Sequence, residues 1–600
     1  MIAGRCLADS SEGSSVIRRV LIANRGEIAV RVIRSCRELG ISPVAVYGEG
    51  EQDALHVRLA DDAYRIPPGP TLPYLDIHTI IALALQAGAE AIHPGYGFLA
   101  ENAGFNEACA DAGLIFVGPT AAAIRAMGDK VAARGIAIAA GVPVVPGTEG
   151  PVDTVEVGRS WADAHGYPVA VKASAGGGGR GFRVAHSAAE FADAFTGSSG
   201  EAQRYFANPT VYLERYLERP RHIEAQIFAD GHGNVVFLGE RDCSVQRRHQ
   251  KLIEETPSPA VGPDLRQEIG EAATALARAV DYIGAGTVEF MLAADGRFYF
   301  LEMNTRIQVE HTVTEFVTGI DLVKEQLLVA CGQPLSFRQA DIAATGHSIE
   351  CRINAEDASR DFAPTPGIVT RFRAPAGHGV RVDTAFDDGA AVLPNYDSLI
   401  AKLVVWGRDR AEALARTKRA LGEFQIEGVP TTIPFHQRLI DHPAFVVGEA
   451  TTAFLAEHPE VLPSSSEPVR PAQQEAESPA REVTAEVNGR RLIVRLFGLP
   501  AGDSPSAPAT PRRAPRLESK TPGSHRHGID GAELTSPLQG TVLRVVVTPG
   551  APVNRGDLVC VVEAMKMENE ITAHRDGTVS SLAVATGDSV RIGSLLAVIE

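Results

Sequence analysis

Short apolar runs, cut by turn residues, alternate with stretches of helical period along most of the chain. Val20-Leu21-Ile22-Ala23 turns at Asn24-Arg25-Gly26-Glu27 into an amphipathic stretch, Ile28 to Leu39, which Gly40 stops; Pro43 to Tyr47 is apolar again. Strand, turn, helix and strand predict a βαβ unit of a parallel sheet, whose ligands bind at the carboxyl ends of the strands. Ala91-Ile92-His93 is another short strand, ending in the glycine-crowded turn Pro94 to Leu99. Val169 to Lys172 and Phe182 to Val184 are strands flanking Ala173 to Gly181. Gly286 to Phe290 and Tyr299 to Asn304, split by Asp295-Gly296, predict a hairpin with Glu289 near Glu302. Strands and helices then alternate from His347 to about Phe454, with a helical period from Ala411 to Phe424.

The C-terminal end has a different rhythm. Gly540-Thr541-Val542, Gly550, Val553, Gly556, Leu558 and Glu563 recur as Gly577-Thr578-Val579, Gly587, Val590, Gly593, Leu595 and Glu600. The displacement is 37 residues throughout, from 540 to 577 as from 563 to 600. A constant offset leaves no insertion inside the repeat and predicts two β units packed about a pseudo-twofold. Glu563-Ala564-Met565-Lys566-Met567-Glu568-Asn569 falls between the halves and makes Lys566 a candidate hairpin tip. An ordinary solvated lysine beside two core methionines is the plain alternative. Before this domain the composition turns to Pro, Ala, Glu and Ser, which reads as linker. One island, Val483 to Leu496 around Asn488-Gly489, carries a hairpin signal.

Six hundred residues exceed one core. The expected units are a loose tail over 1–15, domains over 16–126, 127–336 and 337–456, a linker over 457–530 with a hairpin near 483–497, and a β domain over 531–600. The formal net charge of −17 disfavours nucleic acid and anionic membrane as partners. No apolar stretch is long enough to span a bilayer. Seven scattered cysteines without C-x-x-C spacing fit a reducing cytoplasm, and the first fifteen residues lack the apolar core of a targeting signal.

Several groups carry candidate chemistry. Gly176, Gly178 and Gly181 satisfy G-x-G-x-x-G, but a strand rather than a helix follows, so no helix N-terminus is offered to a pyrophosphate; there is also no P-loop. The glycines Gly176, Gly177, Gly178 and Gly179 beside Lys172 instead suit a loop whose N–H groups close over phosphates, with Lys130 as a second cation. Glu289, Glu302 and the Asn304 amide are hard ligands suited to magnesium. Arg306, Gln308 and Glu310 alternate and project to one side if the segment is extended, which suits holding and deprotonating a small oxyanion. Glu240 to Lys251 is dense in charge; a solvated face competes with an anion pocket as its explanation. His93 and Tyr96 taken alone read as packing or turn residues.

Taken together, these runs resemble biotin carboxylase, an ATP-grasp enzyme, from Leu21 to about Phe454, and Ala564 to Met567 resembles the biotin carboxyl carrier domain. The fold implied is multidomain α/β: a Rossmann-like N-terminal domain, an ATP-grasp domain, a mixed α+β C-terminal domain and an all-β hammerhead. By that resemblance Lys130, Lys172, the glycine loop, Glu214, Leu217, His222, Gln246 and His249 bind ATP. Glu289, Glu302 and Asn304 hold Mg2+ or Mn2+. Arg306, Gln308, Val309 and Lys251 hold bicarbonate, Glu310 is the base, and Arg352 offsets charge on the biotin ring, with Tyr96 near it. Biotin hangs on Lys566; a lipoyl group is the local alternative, since lipoyl domains share the hammerhead but lack the paired methionines.

The implied protein is the alpha subunit of an acetyl-/propionyl-CoA type carboxylase, with a role in fatty acid biosynthesis. It is expected in a homo-oligomeric complex with a carboxyltransferase beta subunit and to be modified by biotin protein ligase. The repeat reaches Glu600, so the carboxyltransferase is expected on another chain. The competing readings are a carboxylase component of methylcrotonyl-CoA or pyruvate type, a different ATP-grasp ligase on a lipoyl-like carrier, and a non-catalytic carrier. Two departures from the family pattern, Thr431-Thr432-Ile433-Pro434 and Gly48 to Glu51, are expected to lie away from the chemistry.

Overall fold

The computed structural model describes residues 17–69, 72–148, 150–173, 181–206, 208–464, 481–487, 490–496, 532–536, 540–564, 567–585, 588–590 and 593–600. They divide into two compact units, a larger one ending near Pro463 and a smaller one holding the C-terminal β domain.

The larger unit opens on a five-stranded parallel sheet in the order Asp62–Arg65, Ser42–Tyr47, Arg19–Ile22, Ala91–His93, Ile115–Phe116. Helix Gly26–Glu38 packs on it through Ile28, Ala29, Val32 and Ile33. Asn24, at the carboxyl end of the first strand, donates to the carbonyls of Pro94 (2.8 Å) and Tyr96 (2.7 Å). That contact requires Gly95: its φ is +63°, and a Cβ there would stand 2.8 Å from the Asn24 amide.

The second part contains two structures. A small lobe pairs Val169–Ala173 antiparallel with Phe182–Ala185 and Val211–Arg215, covered by helices Val155–His165 and Phe191–Phe206, with a core of its own. The main body is an eight-stranded antiparallel sheet. Its order is Phe298–Asn304, Gly284–Leu292, Arg221–Ala229, Val235–Asp242, Ile253–Thr256, His347–Asn354, Leu399–Gly407, Val380–Thr384. The boundary expected at 336 does not interrupt this sheet. Ile253–Thr256 pairs directly with His347–Asn354, so one sheet runs through both the second and third expected domains. The linker start expected at 457 also moves: Val461 is 2% exposed and belongs to the core, so packing continues past it.

In the smaller unit, the 37-residue repeat becomes two four-stranded sheets. One runs Met567–Thr572, Leu558–Ala564, Gly540–Val545, Ser589–Val590; the other runs Glu533–Thr535, Leu595–Ile599, Gly577–Leu582, Pro552–Val553. Each half lends its short strand to the other: Thr541 pairs with Ser589 and Pro552 with Thr578. Val542, Val559, Val562, Val579, Leu596 and Ile599 fill the space between. Strands Arg481–Val487 and Arg490–Leu496 pair antiparallel, as the Asn-Gly signal predicts; residues 488 and 489 lie outside the described residues.

Candidate active site

The polar face of the large sheet converges on Lys251. Its Nζ is 2.9 Å from Glu289 Oε1, 2.8 Å from Glu310 Oε1, and in contact with Glu224. Burial would lower Lys251, but these three carboxylates outweigh it and hold the ammonium well above the ordinary lysine range. Arg241, fully buried, completes the centre; it donates to Glu224 (3.1 Å), Gln226 (2.7 Å), Thr287 (3.1 Å), Thr314 (3.1 Å) and Gln308. Burial raises Glu224, and the neighbouring Glu310 and Glu289 add to that against the pull of Lys251. Glu310 goes the other way: Lys251, Arg352 and Arg241 overcome burial and hold it well below the usual carboxylate range. It is therefore an ionised acceptor in the resting site.

The hairpin places Glu289 directly opposite Glu302, and Thr287 opposite Asn304. Glu289 Oε1 accepts from Asn304 Nδ2 (2.7 Å) and Gln308 Nε2 (2.8 Å), and its Oε2 lies 2.9 Å from His222 Nε2. Gln246 Nε2 is 2.7 Å from His222 Nδ1. The Glu302 carboxyl is pushed up by burial and then by the charge of Glu289. Two carboxylates and an amide in adjacent register, one carboxylate destabilised by the other, form a donor set that fits a divalent cation with oxygen preference.

Arg352 is gripped from two sides: Nε is 2.6 Å from Glu254 Oε1 and Nη2 is 2.9 Å from Glu310 Oε2. Its carbonyl is held by Thr432 Oγ1 (2.9 Å) and faces His436 Nε2 at 2.8 Å. Thr432, expected to be remote, therefore fixes the backbone of a site residue. The Gly48 to Glu51 segment is also closer than expected. Buried Glu51 pairs with Arg25 and accepts from Tyr74 (2.8 Å), whose ring stacks on Phe98 two residues past Tyr96.

Arg306, Gln308 and Glu310 reach this centre by a different route from the one expected. The segment is a turn running into helix His311–Thr318, not an extended strand, and Glu310 is the helix N-cap position. Gln308 and Glu310 point to Glu289 and Lys251, whereas Arg306 donates to Glu101 (2.9 Å) and Asn304 Oδ1 (2.9 Å).

Lys172 pairs with Glu214, which Arg134 also holds at 3.0 Å, and Lys130 lies 3.9 Å from Glu302. Leu217 is half-buried just beyond the Val211–Arg215 strand; His249 takes a left-handed φ of 66°, and the cationic neighbours His222, Lys130 and Lys172 add to burial in lowering its imidazole. Tyr96 donates its hydroxyl to Glu27. His93 is fully buried, and burial depresses it to about 4, so it is a neutral packing group. Gly176 to Gly179 lie outside the described residues. So does Lys566, while Ala564 pairs with Met567 on either side of it.

The Glu240 to Lys251 run resolves against the solvated-face reading, since Glu240, Arg241, Asp242, Gln246 and Arg247 are all buried. Sequence reasoning named Arg241 and Glu27 only inside longer runs, and missed Glu224, Glu254, Glu101 and Lys402. One signal was available: His222, Glu224 and Gln226 alternate with apolar residues in Arg221–Ala229, marking a strand with one polar face turned inward. Glu101 and Glu27 sit on other elements, and nothing in their local sequence links them to this face.

A sheet lined with buried carboxylates and cations thus accompanies a three-stranded lobe carrying Lys172. Family models agree in order along the chain. Residues 16–124 match the biotin carboxylase N-terminal domain, 129–338 the carbamoyl-phosphate synthase L chain ATP-binding domain, 350–457 the biotin carboxylase C-terminal domain, and 532–599 the biotin-requiring enzyme model. The chain is 46% identical over 601 residues to the biotin-dependent acyl-coenzyme A carboxylase alpha3 subunit of Mycobacterium leprae, covering 98% of this chain and 100% of that one. It is 54% identical to biotin carboxylase 1 of Bacillus subtilis over 73% of this chain and 98% of that protein. Among solved structures, the biotin carboxylase domain dimer of Hydrogenobacter thermophilus 2-oxoglutarate carboxylase, in complex with MgADP, ADP and bicarbonate, superposes with a TM-score of 0.71. It shares 48% identity, covering 74% of this chain and 98% of that one. The chain belongs to the biotin-dependent carboxylases: an ATP-grasp biotin carboxylase joined to a C-terminal biotinyl domain. Among the described residues no helix is long and apolar enough to cross a membrane.

Proposed function

We propose that this chain uses ATP and bicarbonate to carboxylate biotin carried on its own Lys566, as the alpha subunit of an acyl-CoA carboxylase of the acetyl-/propionyl-CoA class. The observation that carries it is the Lys251 centre, where a part-buried cation, an ionised Glu310 and Glu289 meet within one hydrogen-bonded network, with Glu302 opposite Glu289 in the hairpin.

Bicarbonate is a poor electrophile, so it first attacks the γ-phosphate of ATP, giving carboxyphosphate and ADP. That transfer depends on positioning and charge neutralisation. Lys130 and Lys172 supply cations to the nucleotide phosphates, with His222, Gln246, His249, Glu214 and Leu217 around the nucleotide. Glu289, Glu302 and Asn304 would hold Mg2+, which neutralises phosphate charge when bound. Lys251, Arg306, Gln308 and the Val309 backbone hold bicarbonate, and Glu310 accepts its proton. Carboxyphosphate then breaks down to carbon dioxide and inorganic phosphate, and the phosphate takes the N–H proton of the ureido nitrogen that biotin, when attached, would supply to the carbon dioxide. Arg352, fixed by Glu254 and Glu310, places a guanidinium where negative charge develops on that ring.

The full-length match to an acyl-CoA carboxylase alpha subunit supports the acyl-CoA class over the pyruvate type, and with it a separate carboxyltransferase partner and a biotin protein ligase. Two experiments test the reading. Intact mass of protein made with a competent biotin ligase should show one biotin, lost in Lys566→Arg. Mixing the biotinylated chain with candidate carboxyltransferase subunits should yield carboxylated acetyl- or propionyl-CoA. Bicarbonate-independent ATP cleavage, or an unmodified lysine, refutes it.

A further inference from the structure

Lys402 has 0% exposure and makes none of the substrate contacts proposed above. It stands mid-strand between the buried Ala401 and Leu403, directly opposite Arg352 in the sheet. Its Nζ donates to the Val309 carbonyl at 2.9 Å and lies 3.1 Å from Glu27 Oε1. Glu27 belongs to the first parallel-sheet domain. It also receives the Tyr96 hydroxyl, while its Oε2 is buried without a hydrogen-bond partner among the described residues. Burial would lower Lys402, but Glu27, Glu350 and Asp383 outweigh it, so the ammonium stays charged.

Stability alone does not call for this charge. Replacing a buried ion pair by apolar groups of similar volume is often neutral or stabilising. What Lys402 does that an apolar side chain cannot is grip the backbone between Gln308 and Glu310, the two residues that reach Glu289 and Lys251.

We propose that Lys402 is a positioning residue: holding the Val309 carbonyl, it sets the turn that presents Gln308 and Glu310, and holding Glu27, it ties Tyr96 to that turn. The inference rests on the carboxylation reading of the site. Two variants of the full-length chain test it, Lys402→Met and Lys402→Met/Glu27→Gln; the second does not leave a charged Glu27 buried without its lysine. The expected result, in the double variant and in any folded single one, is a rise of about tenfold in KM for bicarbonate in ADP release, with KM for ATP within about twofold. Amide exchange of residues 305–310 should quicken by about tenfold at the same time. If the unaltered chain shows no bicarbonate-dependent ADP release, the functional reading fails, whatever Lys402 does. If the unaltered chain responds and the double variant keeps its bicarbonate KM and its exchange rates, the positioning role is overturned. A lowered kcat with both KM values unmoved also overturns it.

Discussion

Replacing Arg352 by alanine should separate nucleotide binding from carboxyl transfer. The guanidinium sits 2.6 Å from Glu254 Oε1 and 2.9 Å from Glu310 Oε2, and Glu254 is 1% exposed and Glu310 2%. Removing one partner of a buried ion pair costs about 3–5 kcal/mol. The lower end applies here. Burial, working against Arg352, already pushes the Glu254 carboxyl up to about 7. Without the arginine it takes a proton near neutral pH and sheds its charge. On the reaction, a preorganised cation aimed at developing charge is worth about 10²–10³ in kcat. Lys130, Lys172 and Glu302 make no contact with Arg352, so ATP affinity by calorimetry should stay within about twofold while fixation of labelled bicarbonate into free biotin falls at least about 100-fold. Arg352→Lys keeps the charge but loses the two-pronged grip and should fall between, near tenfold. A folded Arg352→Ala protein that carboxylates free biotin within about tenfold of wild type would rule out this role for the guanidinium.

Other outcomes follow from the same geometry. Glu302→Gln should weaken magnesium activation by about tenfold or more, read as a shifted Mg2+ titration of ADP release, because Glu289 then lacks its opposite carboxylate. Burial depresses His436 to about 4, offset only in part by the Arg352 carbonyl; its folded value lies below its ordinary 6.5, so the fold favours the neutral ring and stability is lost as pH falls from about 6.5 to about 4. His436→Gln keeps a donor to that carbonyl and should flatten the Tm profile across this window; an unchanged slope counts against the assignment. A Cβ at Gly577 would stand 2.5 Å from the Glu600 carbonyl oxygen, so Gly577→Ala should destabilise the biotinyl domain by about 1–3 kcal/mol in urea unfolding, with the carboxylase part unmoved.

Legibility in the sequence followed the range of the interaction. The Glu289–Glu302 hairpin was readable because two short strands and one turn fix its register. The 37-residue repeat was readable because it lies in a single line of text. Glu224 was half-legible, as a charged residue in an apolar strand. Glu254, Glu101 and Lys402 were not, because each acquires its role from a partner 93 to 205 residues away, such as Glu101 with Arg306. The sheet that crosses the expected boundary at 336 was illegible for a related reason: composition marks loops, and a strand pairing across a loop leaves no mark in either segment.

The exchange of short strands in the biotinyl domain bears on when the carrier becomes a carrier. The sheet behind Leu558–Ala564 is closed by Ser589–Val590, and the opposing sheet by the reciprocal bonds between Thr578 and Glu600. The first half alone therefore leaves strands Leu558–Ala564 and Met567–Thr572 in an unfinished sheet. Closure of the domain therefore waits on its last strand, because the second sheet is incomplete until Leu595–Ile599 is in place between Glu533–Thr535 and Gly577–Leu582.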